Sequence, residues 1–203
     1  APPDAPAWPA TPFGDIVQLP DGELGVCTYH LVTKTEHSAY LYISADDGLT
    51  WSYRSTIDPI NANETAPLVL PSGRLLAASR SEFKNYLRLY GSDDVGVSWD
   101  YVGPVSLTMQ IPGHLLHLDD GRLLLTFGIR NTGFRGVGAR ISDDGGDSWW
   151  ETRFVVDLEN SVDVGYPSSV QAADGTIITA YYCSGVPTHM RFHMGVVRWS
   201  LNE

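Results

Sequence analysis

The stretch SDDGGDSWW, residues 142–150, places three carboxylates and two tryptophans within nine residues, with glycines between them. Its acidic content suggests a calcium loop. Calcium takes roughly six to eight oxygens, usually including a bidentate glutamate late in the loop, and this frame carries no glutamate. A turn accounts for the residues better: Asp and Ser side chains bond neighbouring backbone N–H groups, Gly takes positive φ, and Trp packs back on the strands. The frame also recurs. SADDGLTW at 44–51 and SDDVGVSW at 92–99 share the pattern Ser-x-Asp-x-Gly-x-Thr/Ser-Trp, with starts 48 and 50 residues apart. A ligand site has little reason to return at that period, whereas a structural corner does.

A second signature keeps step with the first. VQLPDGELGV, LVLPSGRLLA, LHLDDGRLLL and VQAADGTIIT each set a turn between apolar runs, and their glycines Gly22, Gly73, Gly121 and Gly175 are spaced by 51, 48 and 54 residues. Four units of about fifty residues, each made of short strands, form the pattern of an all-β protein, a β-propeller with one blade per unit. The expected blades are 11–58, 59–107, 108–157 and 158–203, in a single domain after a Pro/Ala-rich lead at 1–10.

Composition agrees with that class. At 203 residues the chain is long enough for one sizeable core. Its 43% hydrophobic content excludes disorder, and 20 glycines and 13 prolines cut the apolar runs too short for globular helices. No apolar stretch approaches the ~18–20 residues of a membrane-spanning helix. A net charge of −11, with 13 scattered lysines and arginines, argues against nucleic acid as partner. The lead APPDAPAWPATP reads either as the residue of signal cleavage or as a cut from a longer chain. Cys27 and Cys183 are the only cysteines, and the sequence leaves open whether they bridge. No His/Cys/carboxylate cluster has metal-ligand spacing, so no metal or other cofactor is implied.

Counting back from each turn locates the start of each blade's inner strand. Eight positions before Asp21, Ser72, Asp120 and Asp174 stand Phe13, Glu64, Pro112 and Tyr166, and six before stand Asp15, Ala66, His114 and Ser168. Strand periodicity sets the two groups on one side. Reflection through the turn brings Arg80 opposite Glu64, so Glu64, Arg80 and Tyr166 are expected at one mouth. Trp8, Tyr29 and His30 are candidates for a sugar platform, with ordinary packing as the simpler reading.

The repeated frame resembles the Asp-box, or BNR repeat, of the sialidase superfamily. NETAPLVLPSGRLLAASR is similar to the sialidase stretch in which a Glu opens a strand and an Arg closes the hairpin sixteen positions later, as Glu64 and Arg80 do here. RGVGARISDDGG resembles the segment holding a further sialidase arginine, here Arg135, and GYPSSVQAADG the segment holding the sialidase tyrosine, here Tyr166. The resemblance implies an exo-α-sialidase-like glycoside hydrolase, secreted, acting on sialylated or uronate-containing glycans. Tyr166 would be the nucleophile, Glu64 its base, and Arg80 and Arg135 ligands of the sugar carboxylate. Asp15 and His114, which the strand count places on the inward-facing set, are candidates for further substrate contacts or proton donors, with a polar group lining the channel as the plainer reading.

A neutral phenol suits this substrate. Sialic acid carries a carboxylate on its anomeric carbon, which repels an Asp or Glu nucleophile, and a phenol with a pKa of about 10 needs an adjacent base. Guanidinium groups offer paired donors to a carboxylate. Sialidases of this kind have six blades, and the family's first arginine and its acid/base aspartate have no counterpart in this chain. Missing N-terminal blades or a second copy would complete such a ring. The alternatives are a catalytically silent sugar-binding or scaffold propeller, and a uronate-acting glycosidase or lyase on the same frame.

Overall fold

The structure, a computed structural model, describes residues 10–31, 37–186 and 189–201. The fold is all-β, with no helix among the described residues and therefore none long and apolar enough to cross a membrane. The chain divides into two compact units, one ending at Val105 and the other beginning at Ser106, and each holds two antiparallel sheets of the propeller-blade type.

In the first unit one sheet orders β1 (Thr11–Gln18), β2 (Leu24–Leu31), β3 (His37–Ser44) and β4 (Ser52–Asp58). The second orders β5 (Ala62–Val69), β6 (Leu75–Ser81), β7 (Tyr86–Ser92) and β8 (Asp100–Pro104). The second unit repeats the scheme with β9 (Gln110–His117), β10 (Leu123–Ile129), β11 (Gly136–Ser142) and β12 (Arg153–Asp157). Its other sheet has three strands, β13 (Asp163–Gln171), β14 (Ile177–Val186) and β15 (His189–Trp199). Each chain segment runs back and forth as a meander because a short turn can join only antiparallel neighbours.

The four hairpin turns are one structure repeated. Leu19, Leu70, Leu118 and Ala172 each accept from the turn glycine's N–H and donate to a residue four further on. The glycines sit at φ between 81° and 91°, where a side chain would be strained.

The Asp-box corners are likewise closed on themselves. Asp144 accepts from the Ser148 N–H at 2.9 Å and the Ser148 hydroxyl at 2.5 Å, Ser142 Oγ donates to Asp144 at 2.8 Å, and Trp149 Nε1 donates to the Gly146 carbonyl at 3.1 Å. Asp46 and Asp94 bond their own Ser and Thr partners in the same way. The carboxylate oxygens thus hold the turn. Hydrogen bonds from those hydroxyls first, and from the Ser or Thr N–H next, hold all three carboxyls down at about 2.

Sheets within a unit pack face to face. In the first unit Leu19, Cys27, Leu41 and Ile57 meet Ala62, Leu75, Ala77 and Tyr90 in one buried core. Gly96 makes room for it, since a Cβ there would lie 2.3 Å from Leu41 Cδ2. Trp99 Nε1 donates to Ser55 Oγ, and Ser55 Oγ donates to the Gly96 carbonyl, fastening this corner to β4. Arg54 adds ion pairs to Asp21 and Glu23. In the second unit Leu118, Leu124, Ala139 and Ile141 pack on Ile177, and Val137 packs on Val164 and Cys183. Cys27 and Cys183 are both free, buried thiols, one in each unit.

Candidate functional site

Every inner strand carries an irregularity near its start. Register shifts fall between Phe13 and Val17 in β1 and between Ala62 and Thr65 in β5. In the second unit they fall opposite β9, between Phe127 and Ile129 of β10, and between Gly165 and Ser168 in β13. Simple period-two alternation therefore stops where the candidate residues stand, and the bulges re-aim them. Close approach of the neighbouring sheet fixes the bulged backbone: a Cβ on Gly14 of β1 would lie 2.7 Å from Pro67 Cδ of β5, and one on Gly128 of β10 2.7 Å from Gly165 Cα of β13.

In the first unit the bulge leaves Arg80 of β6 opposite Asn63 and Glu64 of β5. One terminal nitrogen of Arg80 donates to both Glu64 oxygens, at 3.1 and 2.9 Å, and the other reaches Asn85 Oδ1 at 3.4 Å. Glu64 is buried, and Arg80 Nε is buried with no acceptor. Residues the sequence reading did not single out complete the cluster. Asn63 Nδ2 donates to Glu82 at 2.6 Å, and His37 Nδ1 lies 2.5 Å from the other Glu82 oxygen. Tyr29 stands beside them, its ring centroid 6.4 Å from that of His37. Burial first, and the Glu64 carboxylate next, raise the Tyr29 phenol above its ordinary value. Asp15 lies exposed in the bulge of β1. His30 is buried against Tyr40 and Tyr42, which is packing and not a platform, and Trp8 lies outside the described residues.

In the second unit Tyr166 occupies the bulge of β13 with φ +52°, a left-handed conformation costly for a bulky residue. Its side chain is 42% exposed. The ring is held from behind: its centroid is 5.5 Å from that of Tyr182, and the Arg130 guanidinium carbon lies 5.9 Å from it. Arg130 Nε donates to the Val164 carbonyl at 2.9 Å and its NH2 to the Tyr182 hydroxyl at 3.0 Å, and that hydroxyl donates to Asp163 at 2.8 Å. His114 is buried and accepts at Nδ1 from the Ser169 N–H at 3.4 Å. Arg135, in the β10–β11 connection, donates to the Ser161 carbonyl at 2.9 Å. The arginine beside Tyr166 is thus Arg130, which sequence counting missed.

A signal for this second cluster was present. Tyr182 stands seven residues past Gly175, as Arg80 stands seven past Gly73. Arg130 stands nine past Gly121, and the position seven past that glycine is Gly128. Among the described residues no group of three His, Cys, Asp or Glu side chains is placed to hold a metal ion.

The sequence family is decided by a match over residues 3–179 to the BNR repeat-like domain. The chain belongs to this family. No curated protein matches the BNR chain by sequence. Solved structures do match its fold. A protein of unknown function from Dyadobacter fermentans is 24% identical with a TM-score of 0.74, over 93% of this chain and 53% of the other. An α-L-arabinanase from Penicillium chrysogenum, solved with arabinobiose, is 20% identical with a TM-score of 0.75, over 97% and 64%. A sialidase from Trypanosoma rangeli, solved with the inhibitor DANA, is 17% identical with a TM-score of 0.69, over 91% and 31%. The BNR chain spans between about half and two thirds of the length of the first of these structures. The likeness establishes an Asp-box β-propeller fold shared with glycoside hydrolases, and a fold does not fix chemistry.

Proposed function

We propose that the chain forms the catalytic part of a sialidase-like glycoside hydrolase, which removes terminal sialic acid or a related carboxylate sugar from glycans outside the cell. The observation that carries the reading is Tyr166: a bulky residue in left-handed backbone, its ring presented to solvent and held by Tyr182 and Arg130. Strain of this kind concentrates where a side chain must be presented for function.

In this reading the Tyr166 phenol attacks the anomeric carbon as a base takes its proton, the role that the sequence resemblance gives Glu64. The glycosidic oxygen leaves with a proton taken from solvent, and water then attacks the sugar carbon, its proton passing to the Tyr166 oxygen as the tyrosyl–sugar bond breaks. The resemblance gives Arg80 and Arg135 the role of carboxylate ligands, and Asp15 and His114 are further candidate contacts.

A second reading rests on one fact. Arg80 is already matched by Glu64 within the protein, so its charge is compensated and a neutral glycoside would meet no cost there. The test is a panel of fluorogenic glycosides of sialic acid, glucuronic acid and arabinofuranose. The proposal expects turnover of the sialoside, reduced at least about a hundredfold in Tyr166→Phe. Turnover confined to the arabinofuranoside would favour the second reading, and turnover of none would overturn both.

A further inference from the structure

We propose that a groove between β4 and β7–β8 in the first unit is a second carbohydrate-binding site, one that takes neutral sugar rings. It does not depend on the glycosidase reading.

The groove encloses about 720 Å³ and is walled by Ile60, Tyr86, Trp99 and Tyr101, with Arg88 and Tyr90 below. Ile60 is 64% exposed and Tyr101 53%, so neither is there to complete the core. The Tyr90 and Tyr101 ring centroids are 5.5 Å apart. A smaller cavity of about 300 Å³ shares Ile60, Tyr86 and Arg88 and carries the groove on to Phe83 and Lys84.

Its floor is a buried ion pair. Asp58 is fully buried, accepts from Ser79 Oγ at 2.9 Å, and lies 2.7 Å from Arg88 NH2, which also donates to the Ile60 carbonyl. Arg88 Nε is buried with no acceptor. Burial first, and the Asp58 carboxylate next, raise the Tyr90 phenol, while burial and then Tyr86 raise that of Tyr101. Three phenols therefore gather over a compensated charge.

That chemistry selects its occupant. The C–H face of a sugar ring lies on an aromatic plane, and its hydroxyls exchange hydrogen bonds with phenols and a guanidinium edge. Because Asp58 neutralises Arg88, the one cation lining the main groove, and Lys84 lines only the adjoining cavity, an anionic sugar would be desolvated in the main groove with no uncompensated cation beside it. A neutral ring incurs no such cost, and its hydroxyls can exchange hydrogen bonds with the phenol of Tyr101 at the groove wall.

The test is calorimetric titration with neutral arabino-, galacto- and gluco-oligosaccharides, and with sialyllactose, of the unaltered chain and of the Tyr86→Ala, Tyr101→Ala and Glu64→Gln variants. Near-UV circular dichroism and a Tyr101→Phe variant, which keeps the ring, control for folding. The proposal expects at least one neutral oligosaccharide to bind, each alanine variant to weaken it about tenfold or more, and Glu64→Gln and Tyr101→Phe to retain it. It is overturned if no neutral sugar binds, if both alanine variants bind unchanged, if Glu64→Gln abolishes neutral-sugar binding, or if Tyr101→Ala weakens sialyllactose more than it weakens the neutral sugar. Loss of glycosidase activity in Glu64→Gln with neutral binding intact would separate this groove from the catalytic reading.

Discussion

Arg80 donates from a single nitrogen to both oxygens of Glu64, at 3.1 and 2.9 Å, across a bulge that removes Glu64 from strict alternation. Glu64 is nearly inaccessible, so the guanidinium is what makes a charge tolerable there. Removing one partner of such a pair strands the other.

Arg80→Ala is therefore expected to destabilise the chain by about 3–5 kcal/mol, measured by urea unfolding, while the double variant Arg80→Ala/Glu64→Gln recovers much of the loss. Equal destabilisation by the single and double variants would show that the pair is not coupled in this way.

The Asp-box carboxylates give a pH signature. Asp46, Asp94 and Asp144 have folded values of about 2, below the unfolded value of about 3.9. Their contribution is complete above roughly pH 4 and is lost as pH falls through about 2. Asp144→Asn should lower the melting temperature at pH 7, with the difference from the unaltered chain shrinking toward pH 2. A constant difference over that range would contradict the assignment.

Tyr166 carries strain that glycine would not. Tyr166→Gly should leave stability unchanged or raise it by up to about 1 kcal/mol, since φ +52° suits glycine and the ring is exposed. Arg130→Met should cost about 1–3 kcal/mol, because the Val164 carbonyl and the Tyr182 hydroxyl lose their donor. Thermal unfolding distinguishes the two, and a large loss for the glycine variant would show that the ring is a packing element.

Both thiols are buried, and burial pushes each above its ordinary value. A thiol reagent at neutral pH should label neither in the native chain and both after denaturation. Mass spectrometry of the chain without reductant should show no internal bridge.

Much of the fold was legible because its signals are local. The Ser-x-Asp-x-Gly-x-Thr/Ser-Trp frame and the four turn glycines satisfy their own backbone groups, so residues a few positions apart declare the corner they form. The Glu64–Arg80 pairing was legible for the same reason, since one hairpin fixes it. Bulges were not. An extra residue in an inner strand depends on close contact with the next sheet, as at Gly14 against Pro67, and nothing within the strand announces it. Arg130 beside Tyr166, and Asn63, Glu82 and His37 around Glu64, were not singled out for a related reason. Each belongs to a cluster assembled from separate strands and connections.

The central claim is that Tyr166 forms a covalent bond to a carboxylate sugar, and the most direct measurement is to trap it. A sialosyl fluoride with a second fluorine beside the anomeric carbon slows hydrolysis of the intermediate more than its formation. Intact-mass and peptide mapping after incubation should then show one sugar adduct, on the peptide containing Tyr166, and none in Tyr166→Phe. No adduct, or an adduct on Glu64 or any other residue, would contradict the account.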